Sequence, residues 1–491
     1  MRPSEAADRL EEACGIFGIY APGEDAARMT YFGLHALQHR GQESAGIAVA
    51  DGSSVMAIKD RGLVAQVFSQ SILDSLEGHI AVGHTRYSAG DGSSWEAAQP
   101  HLSTIGDEII ALAHNGSLNN TNLLRRQLIN RGISFRSTSD SEVAAKLIGD
   151  FTRETSRMRE GIRKTMELIS GAYAMVLLTP TALYAFRDPH GIRPLSIGRI
   201  PENKGWVIAS ETCGLDIVGA EYYRDVLPGE VIRINKEGFV FEQAVPPRSR
   251  ALCIFEFVYF ARPDSVLDGQ SVYLCRDALG RQIALEAPVE ADIVIGVPDS
   301  GVPSAIGYAH ESGIPYAEGI VKNRYVGRTF IQPTQTLRQR GIRLKLNPLS
   351  AALEGKRLVV VDDSIVRGNT SKQLIQLLRE AGASQVHMRI VSPPVMWPCF
   401  YGIDTESQHQ LIGASMSCEE IAGFIGADSL AFISLKGLCS CCKTKAPGFC
   451  TACFSGEYPS RIPSELQQQS FCGKLEPRFW EEEFAGMASL F

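Results

Sequence analysis

No run in this sequence reaches about 18 apolar residues, the length a helix needs to cross a bilayer core. There is no excess of positive charge: 48 Lys and Arg stand against 55 Asp and Glu, a net charge of -7. That argues against broad binding to nucleic acid or to an anionic membrane, and it confines any anion site to a local basic cluster. The opening segment, MRPSEAADRLEEA, has no apolar stretch and does not read as a secretory signal. No internal repeat or low-complexity tract is visible. These absences point to a cytoplasmic protein. Twelve cysteines without an export signal then read as buried thiols, metal ligands or catalytic groups, not as a disulfide framework.

What is present suits several packed domains. The chain has 491 residues, 44% of them hydrophobic, and at about 150 residues per domain that predicts two to four domains. From residue 14 to about 245, short apolar segments bounded by Gly, Asp, Asn or Pro read as strands, among them GIFGIYAP, SAGIAVADG, SVMAIKDRG, HIAVGHTRYS, IIALAHNGS, AYAMVLL, ALYAFRDP, WVIASE and GEVIRI. Residues 30–38 and 141–149 have helical spacing. The Pro pair in AVPPRSRAL marks a linker. Beyond it, DIVIGV precedes PSAIGYAHESG, and RLVVVDD precedes SKQLIQLLREAG. This strand-then-helix rhythm predicts a parallel sheet covered on both faces.

The segment EEACGIFGIY places Cys14 close to the start of the chain. A catalytic cysteine needs a base and an oxyanion site. If residues 1–13 were removed, Cys14 would carry a free α-amine, which titrates near pH 8 and can act as that base. The plain alternative is a buried thiol in a first strand. Four further motifs bear on the choice. LQHRGQESAG sets His39, Arg40 and Gly41 in a polar turn, and GHTRYSAG presents Arg86 in a Gly-bounded loop. HNGSLNN puts Asn115 and Gly116 just past an apolar strand, where a side-chain amide and a backbone N–H can face one oxyanion. STSDSEV places Asp140 at a helix start, where alone it would be only a cap.

In this order the motifs resemble the glutaminase domain of the N-terminal-nucleophile (class II) amidotransferases, over residues 14–245. The resemblance implies an α+β fold, an αββα sandwich, that hydrolyses glutamine to glutamate and ammonia. It further implies that Cys14 attacks the side-chain amide and that Asn115 and the N–H of Gly116 hold the oxyanion. Arg86 would grip the α-carboxylate and Asp140 the ammonium, with Arg40 also at the glutamine site. Residues 1–13 would be a propeptide.

The strongest single motif is RLVVVDDSIVRGNTSKQL. An apolar strand ends in Asp362 and Asp363, and a loop of small and hydroxyl residues enters a helix. Backbone N–H groups at such a helix start make an anion cradle, and adjacent carboxylates suit sugar hydroxyls or a hard divalent cation. The motif resembles the signature of type I phosphoribosyltransferases, which are α/β domains with a parallel sheet that bind phosphoribosyl pyrophosphate. By that resemblance Arg367, Gly368, Thr370 and Ser371 cradle the 5-phosphate, while Asp362 and Asp363 hold the ribose diol and Mg2+. In GVPDSGVPSA, Asp299, Ser300 and Gly301 would approach the pyrophosphate, with Ser300 near the metal. KNRYVGRTFIQPTQTLRQRG carries Lys322, Arg324, Arg328, Arg338 and Arg340, and next to a phosphate site it reads as a flap that excludes water.

The two halves together resemble the glutamine phosphoribosylpyrophosphate amidotransferase family over residues 14–460, with 246–460 as the transferase domain and 461–491 as a tail. That resemblance implies ammonia transfer through an internal channel to C1 of the ribose, giving 5-phosphoribosylamine, glutamate and pyrophosphate at the opening of purine synthesis. It also implies a homo-oligomer (tetramer or dimer) and feedback inhibition by purine nucleotides. Read locally, Cys439, Cys442, Cys450 and Cys453 have a spacing compatible with structural zinc. The resemblance implies instead a [4Fe-4S] cluster on Cys253, Cys399, Cys450 and Cys453, leaving Cys439, Cys441 and Cys442 over. Other amidotransferases of the same N-terminal type lack the VVVDDSIVRGNTS motif. A non-catalytic sensor of phosphoribosyl pyrophosphate or nucleotides would not need Cys14, Arg86, Asn115 and Asp140 together.

Overall fold

The computed structural model describes residues 14–87, 95–323, 343, 345–403, 405, 407–443, 448–472 and 477–479. Strand Gly15–Tyr20 is buried along its whole length. A strand without a wet face belongs in the middle of a layered structure, and it pairs antiparallel with Gly205–Ala209 on one side and Ile80–Arg86 on the other. Among the described residues seven strands form this sheet, in the order Glu221–Asp225, Ser196–Ile200, Gly205–Ala209, Gly15–Tyr20, Ile80–Arg86, Ser44–Ala50, Val55–Arg61. Six more form a second sheet, in the order Gly238–Gln243, Glu230–Asn235, Ala182–Arg187, Gly171–Leu178, Glu108–Leu118, His101–Ile105.

The period-two alternation of the strands sorts side chains between layers. Ile16 and Tyr20 point to the core between the sheets, with Val82, Val176 and Ile232. Phe17 and Ile19 point the other way, under helix Ala26–Ala36 and Leu34. On the far side, helices Asp140–Thr155 and Met158–Leu168 cover the second sheet through Ile148, Ile162 and Leu177. The result is the helix–sheet–sheet–helix sandwich that the motifs imply.

Among the described residues the second half is built on four parallel strands, Ile293–Gly296, Arg357–Asp362, Gln385–Ile390 and Ser429–Phe432. Helices Gly301–Ser312 and Asn369–Glu380 follow the first two. Apolar clusters on both faces cover the sheet, as an all-parallel arrangement requires. Among the described residues no helix is long and apolar enough to cross a membrane.

Two helices differ in extent from the sequence reading. The first starts earlier, at Ala26, because Asp25 caps it by accepting from the Arg28 N–H at 3.0 Å. The second runs on to Thr155 and ends at Ser156 in a left-handed conformation. Strands His101–Ile105, Ser196–Ile200, Glu221–Asp225 and Gly238–Gln243 escape the sequence reading. Three of the four are sheet edges, where exposed polar residues dilute the apolar signal.

Candidate functional site

Cys14 stands at the end of the central strand. The antiparallel register that pairs Gly15 with Thr85 brings it to the end of the strand that finishes at Arg86. Arg40, wholly buried, donates from Nε to the Cys14 carbonyl at 3.2 Å. Its Nη1 donates to Glu211 at 2.5 Å and to Glu256 at 3.0 Å, and its Nη2 to Glu256 at 2.9 Å. His39 Nε2 lies 2.7 Å from Glu211. Burial alone would weaken the Arg40 charge, but Glu256 and Glu211 more than restore it. Removing one member of so dry a network costs about 3–5 kcal/mol. The sequence reading puts Arg40 among the glutamine contacts; in the structure two carboxylates and the Cys14 backbone occupy it, so its contacts fit it to position the cysteine.

Asn115 and Gly116 lie on strand Glu108–Leu118, opposite Ala174 and Tyr173. Asn115 is 1% exposed, and among the described residues its Nδ2 has no hydrogen-bond partner. A buried donor left unpaired costs about 1–3 kcal/mol, which a bound oxyanion would relieve. Gly116 has φ +134°, and a Cβ there would fall 2.1 Å from the Ala172 carbonyl oxygen, so only glycine can offer its N–H here. His84 Nε2 reaches the His114 carbonyl at 3.0 Å, tying the strand of Arg86 to the strand of Asn115. His114 Nδ1 in turn lies 3.0 Å from Ser141 Oγ, beside Asp140. Asp140 opens its helix and accepts from the Leu118 N–H at 2.9 Å. Cys14, Arg86, Asn115, Gly116 and Asp140 are thus drawn from four separate stretches to one end of the sandwich.

Three histidines under this site are buried, which favours their neutral form. Burial pushes His84 down to about 3 and His101 well below its ordinary value; His114 is also lowered by burial, which Asp140 only partly offsets. The unfolded chain protonates them near pH 6.5. Their contribution to stability is therefore complete above that pH and drains away as pH falls below about 6.5, for His84 down towards pH 3, by up to roughly 1.4 kcal/mol per pH unit. Thermal melts should show the melting temperature falling between pH 7 and pH 5, and His84→Gln should make that slope shallower.

The second site sits at the C-terminal edge of the parallel sheet, where ligands of open α/β sheets bind. Asp362 and Asp363 end their strand 3% and 2% exposed. Asp363 accepts from Ser300 Oγ and, at 2.7 Å, from Ser364 Oγ; Asp362 accepts from the Asp363 N–H at 2.9 Å. Ser300 comes from the turn after the neighbouring strand, just before Gly301 begins its helix. Gly368 immediately precedes helix Asn369–Glu380, and Thr370 and Ser371 lie in its first turn, the end of a helix towards which an anion is drawn. Arg367 donates to Gln410 at 2.5 Å, and Lys322 lies 2.5 Å from Asp299. Arg324, Arg328, Arg338 and Arg340 lie outside the described residues.

Cys253, Cys399, Cys450 and Cys453 come together. Cys253 and Cys450 are register partners in a short parallel pair of strands. The Cys453 carbonyl accepts from the N–H groups of Met396 and Trp397, just before Cys399. Burial pushes the Cys253 thiol up to about 12, and Cys450 and Cys453 are also raised by burial and by their neighbouring thiols. Four cysteines drawn to one place match the number of sulfur ligands that one iron–sulfur cluster takes. Among the described residues no three such groups close on one point to hold a single metal ion. Cys442 belongs elsewhere, with its Sγ 2.9 Å from that of Cys275. Glu211 and Glu256 escape the sequence reading. A carboxylate within the apolar run ALCIFEFVYF is the signal that could have found Glu256.

Comparison with known proteins agrees with both halves. The glutamine amidotransferase domain family matches residues 84–216, and the phosphoribosyl transferase domain family matches residues 264–391. The chain is 53% identical over 469 residues to an amidophosphoribosyltransferase of Synechococcus elongatus, covering 94% of each. To that of Mycobacterium tuberculosis it is 49% identical over 475 residues, covering 94% of this chain and 89% of the relative. A solved structure described as the allosteric regulatory enzyme of purine biosynthesis superposes with TM-score 0.87 at 47% identity, over 92% of this chain and 97% of that one. Glutamine phosphoribosylpyrophosphate amidotransferase from B. subtilis, complexed with ADP and GMP, superposes with TM-score 0.86 at 47% identity, over 92% and 98%.

Proposed function

The chain belongs to the amidophosphoribosyltransferase family, and from that premise we propose how its residues divide the work. As a member it is both a glutamine amidotransferase and a pentosyltransferase, moving the amide nitrogen of glutamine to phosphoribosyl pyrophosphate in purine biosynthesis. In our reading residues 1–13 are a propeptide, 14–245 the glutaminase domain and 246–460 the transferase domain.

Cys14 is the nucleophile, and its freed α-amine takes the thiol proton as sulfur attacks the amide carbon. The oxyanion is held by Asn115 Nδ2 and the Gly116 N–H, and the carbon–nitrogen bond breaks as that proton passes to the departing ammonia. Water then hydrolyses the thioester to glutamate. Arg86 and Asp140 hold the two charges of the amino acid, opposite signs for opposite ends. The observation that carries this assignment is the buried Asn115 Nδ2, without a hydrogen-bond partner among the described residues, next to an N–H that only glycine can present.

Ammonia passes inside the protein to the second site and attacks C1 of the ribose, with pyrophosphate leaving. The N–H groups and hydroxyls around Gly368, Thr370 and Ser371, with Arg367, cradle the 5-phosphate. Asp362 and Asp363 hold the ribose hydroxyls. Lys322, Asp299 and Gly301 approach the pyrophosphate, joined by Arg324 and Arg328. Ser300, Asp362 and Asp363 fit a bound Mg2+, which would neutralise charge on the leaving pyrophosphate. The four converging cysteines fit a [4Fe-4S] cluster with a structural or oxygen-sensing role, since no step needs its electrons. We further propose a cytoplasmic homo-oligomer inhibited by purine nucleotides.

The direct test is glutamate release by matured protein with cluster and Mg2+ intact. Release should depend on phosphoribosyl pyrophosphate; none in its presence would sink the assignment. Iron and acid-labile sulfide should be found in about equal amounts. One zinc and no labile sulfide would overturn the cluster.

A further inference from the structure

Arg193 is wholly buried, and neither candidate site accounts for it. Its Nε donates to the Tyr401 carbonyl at 3.0 Å and its Nη1 to Glu256 at 3.2 Å. Its Nη2 is buried and, among the described residues, has no hydrogen-bond partner. A guanidinium has five donors and no acceptor, so an idle one on a buried cation is costly.

The surroundings of Arg193 say what the idle donor is for. The carbonyl of its neighbour Ile192 accepts from the Cys253 N–H at 3.0 Å. The Tyr401 N–H, on the residue whose carbonyl Arg193 holds, donates to Cys399 Sγ at 3.4 Å. Two of the four converging cysteines therefore bracket this one side chain.

The other branch of Arg193 leads to the glutaminase site. Glu256 receives Arg193 and both Nη atoms of Arg40, and Arg40 Nε holds the Cys14 carbonyl. A second contact runs alongside. Gly402, at φ +103°, lies so close that a Cβ there would be 3.1 Å from the Gly116 carbonyl carbon and 3.1 Å from Arg193 Nη2. The loop from Cys399 to Gly402 thus rests on the glycine assigned to the oxyanion.

We infer that Arg193 is a positioning residue that joins the cluster to the glutaminase: its Nη2 donates to a cysteine-bound sulfur, while its Nη1, through Glu256 and Arg40, fixes the backbone of Cys14. The inference rests on the cluster assigned above. A planar fork can span three acceptors at fixed angles, whereas an ammonium is a single point charge. A positive charge and an N–H···S bond both stabilise the reduced cluster, so Arg193 raises its reduction potential.

The experiment compares full-length matured wild type, Arg193→Gln and Arg193→Lys, all purified without oxygen. Four quantities are read: iron with acid-labile sulfide, the cluster midpoint potential followed by its paramagnetic resonance signal, the rate at which a diazoketone glutamine analogue labels Cys14, and ammonia-dependent transfer. Arg193→Gln should keep its iron, shift the potential downward and slow labelling by about tenfold or more, with ammonia-dependent transfer within about twofold of wild type. Arg193→Lys keeps the charge but not the fork, so its potential should lie nearer wild type while labelling stays slow. If Arg193→Gln fails to load iron, Arg193→Lys decides alone: normal labelling overturns the inference. An unchanged potential in loaded Arg193→Gln, or labelling that falls no further than ammonia-dependent transfer, also overturns it. Wild type without labile sulfide would sink the cluster itself and this inference with it; a loaded wild type with unresponsive variants sinks only the Arg193 link.

Discussion

Cys14→Ala abolishes glutamine-dependent formation of 5-phosphoribosylamine, with a loss of roughly a thousandfold or more, and leaves transfer from free ammonia measurable. The size follows from the role. Without the sulfur there is no covalent intermediate, and the α-amine has no thiol proton to take. The substitution itself is gentle. Cys14 is only partly buried, it precedes the first described strand, and the hydrogen bond that Arg40 makes there goes to its carbonyl, which alanine keeps. The same logic applies to a chain that keeps residues 1–13. It has the thiol but no free amine on Cys14, so it should be as inactive towards glutamine as the alanine variant. Intact mass together with labelling of Cys14 by a glutamine-directed electrophile separates the two cases. Loss of the ammonia reaction as well would mean that the two sites are not separable.

Asp363→Asn has the complementary outcome, losing transfer from glutamine and from ammonia alike. Asp362 and Asp363 are almost wholly buried where their strand ends, and a buried carboxylate needs hydrogen bonds or a cation around it. Asparagine can still accept from one of Ser300 and Ser364 and donate its amide N–H to the hydroxyl oxygen of the other, so the fold should survive while the anionic charge that would hold Mg2+ and the ribose is lost. Metal and electrostatic contributions of several kcal/mol correspond to a fall of roughly a hundredfold or more. The loss should be partly recovered at high Mg2+ and should leave Cys14 open to labelling. A variant that transfers ammonia at the wild-type rate would remove Asp363 from the site.

The two predictions draw on signals of different kinds. The transferase cradle is legible because it is contiguous. Strand, paired aspartates, small loop and helix follow one another from Arg357 to Glu380, and local physics sets their geometry. The glutaminase site is legible only as a set. Asp140 by itself is a helix start and Arg86 by itself a surface charge. Sheet register, and the contacts of His84 and His114 between the sheets, bring them to Cys14.

By itself the sequence determined the two fold classes, through period-two strands before the linker and strand–helix alternation after it, and it determined which residue types can carry the chemistry. These are short-range properties: the pattern of apolar positions, a glycine where the backbone must turn, a hydroxyl at a helix start. Only the tertiary structure decided what Arg40, Arg193, Glu211 and Glu256 do. They lie as far as 216 residues apart along the chain and are charged residues wholly buried from solvent. No local pattern specifies a buried ion network, because each charge is tolerable there only through a partner from another part of the fold. The same holds for Gly402. In sequence it is one glycine after a cysteine and an aromatic pair; in the structure it is the point where the cysteine-bearing loop rests on the glycine assigned to the oxyanion.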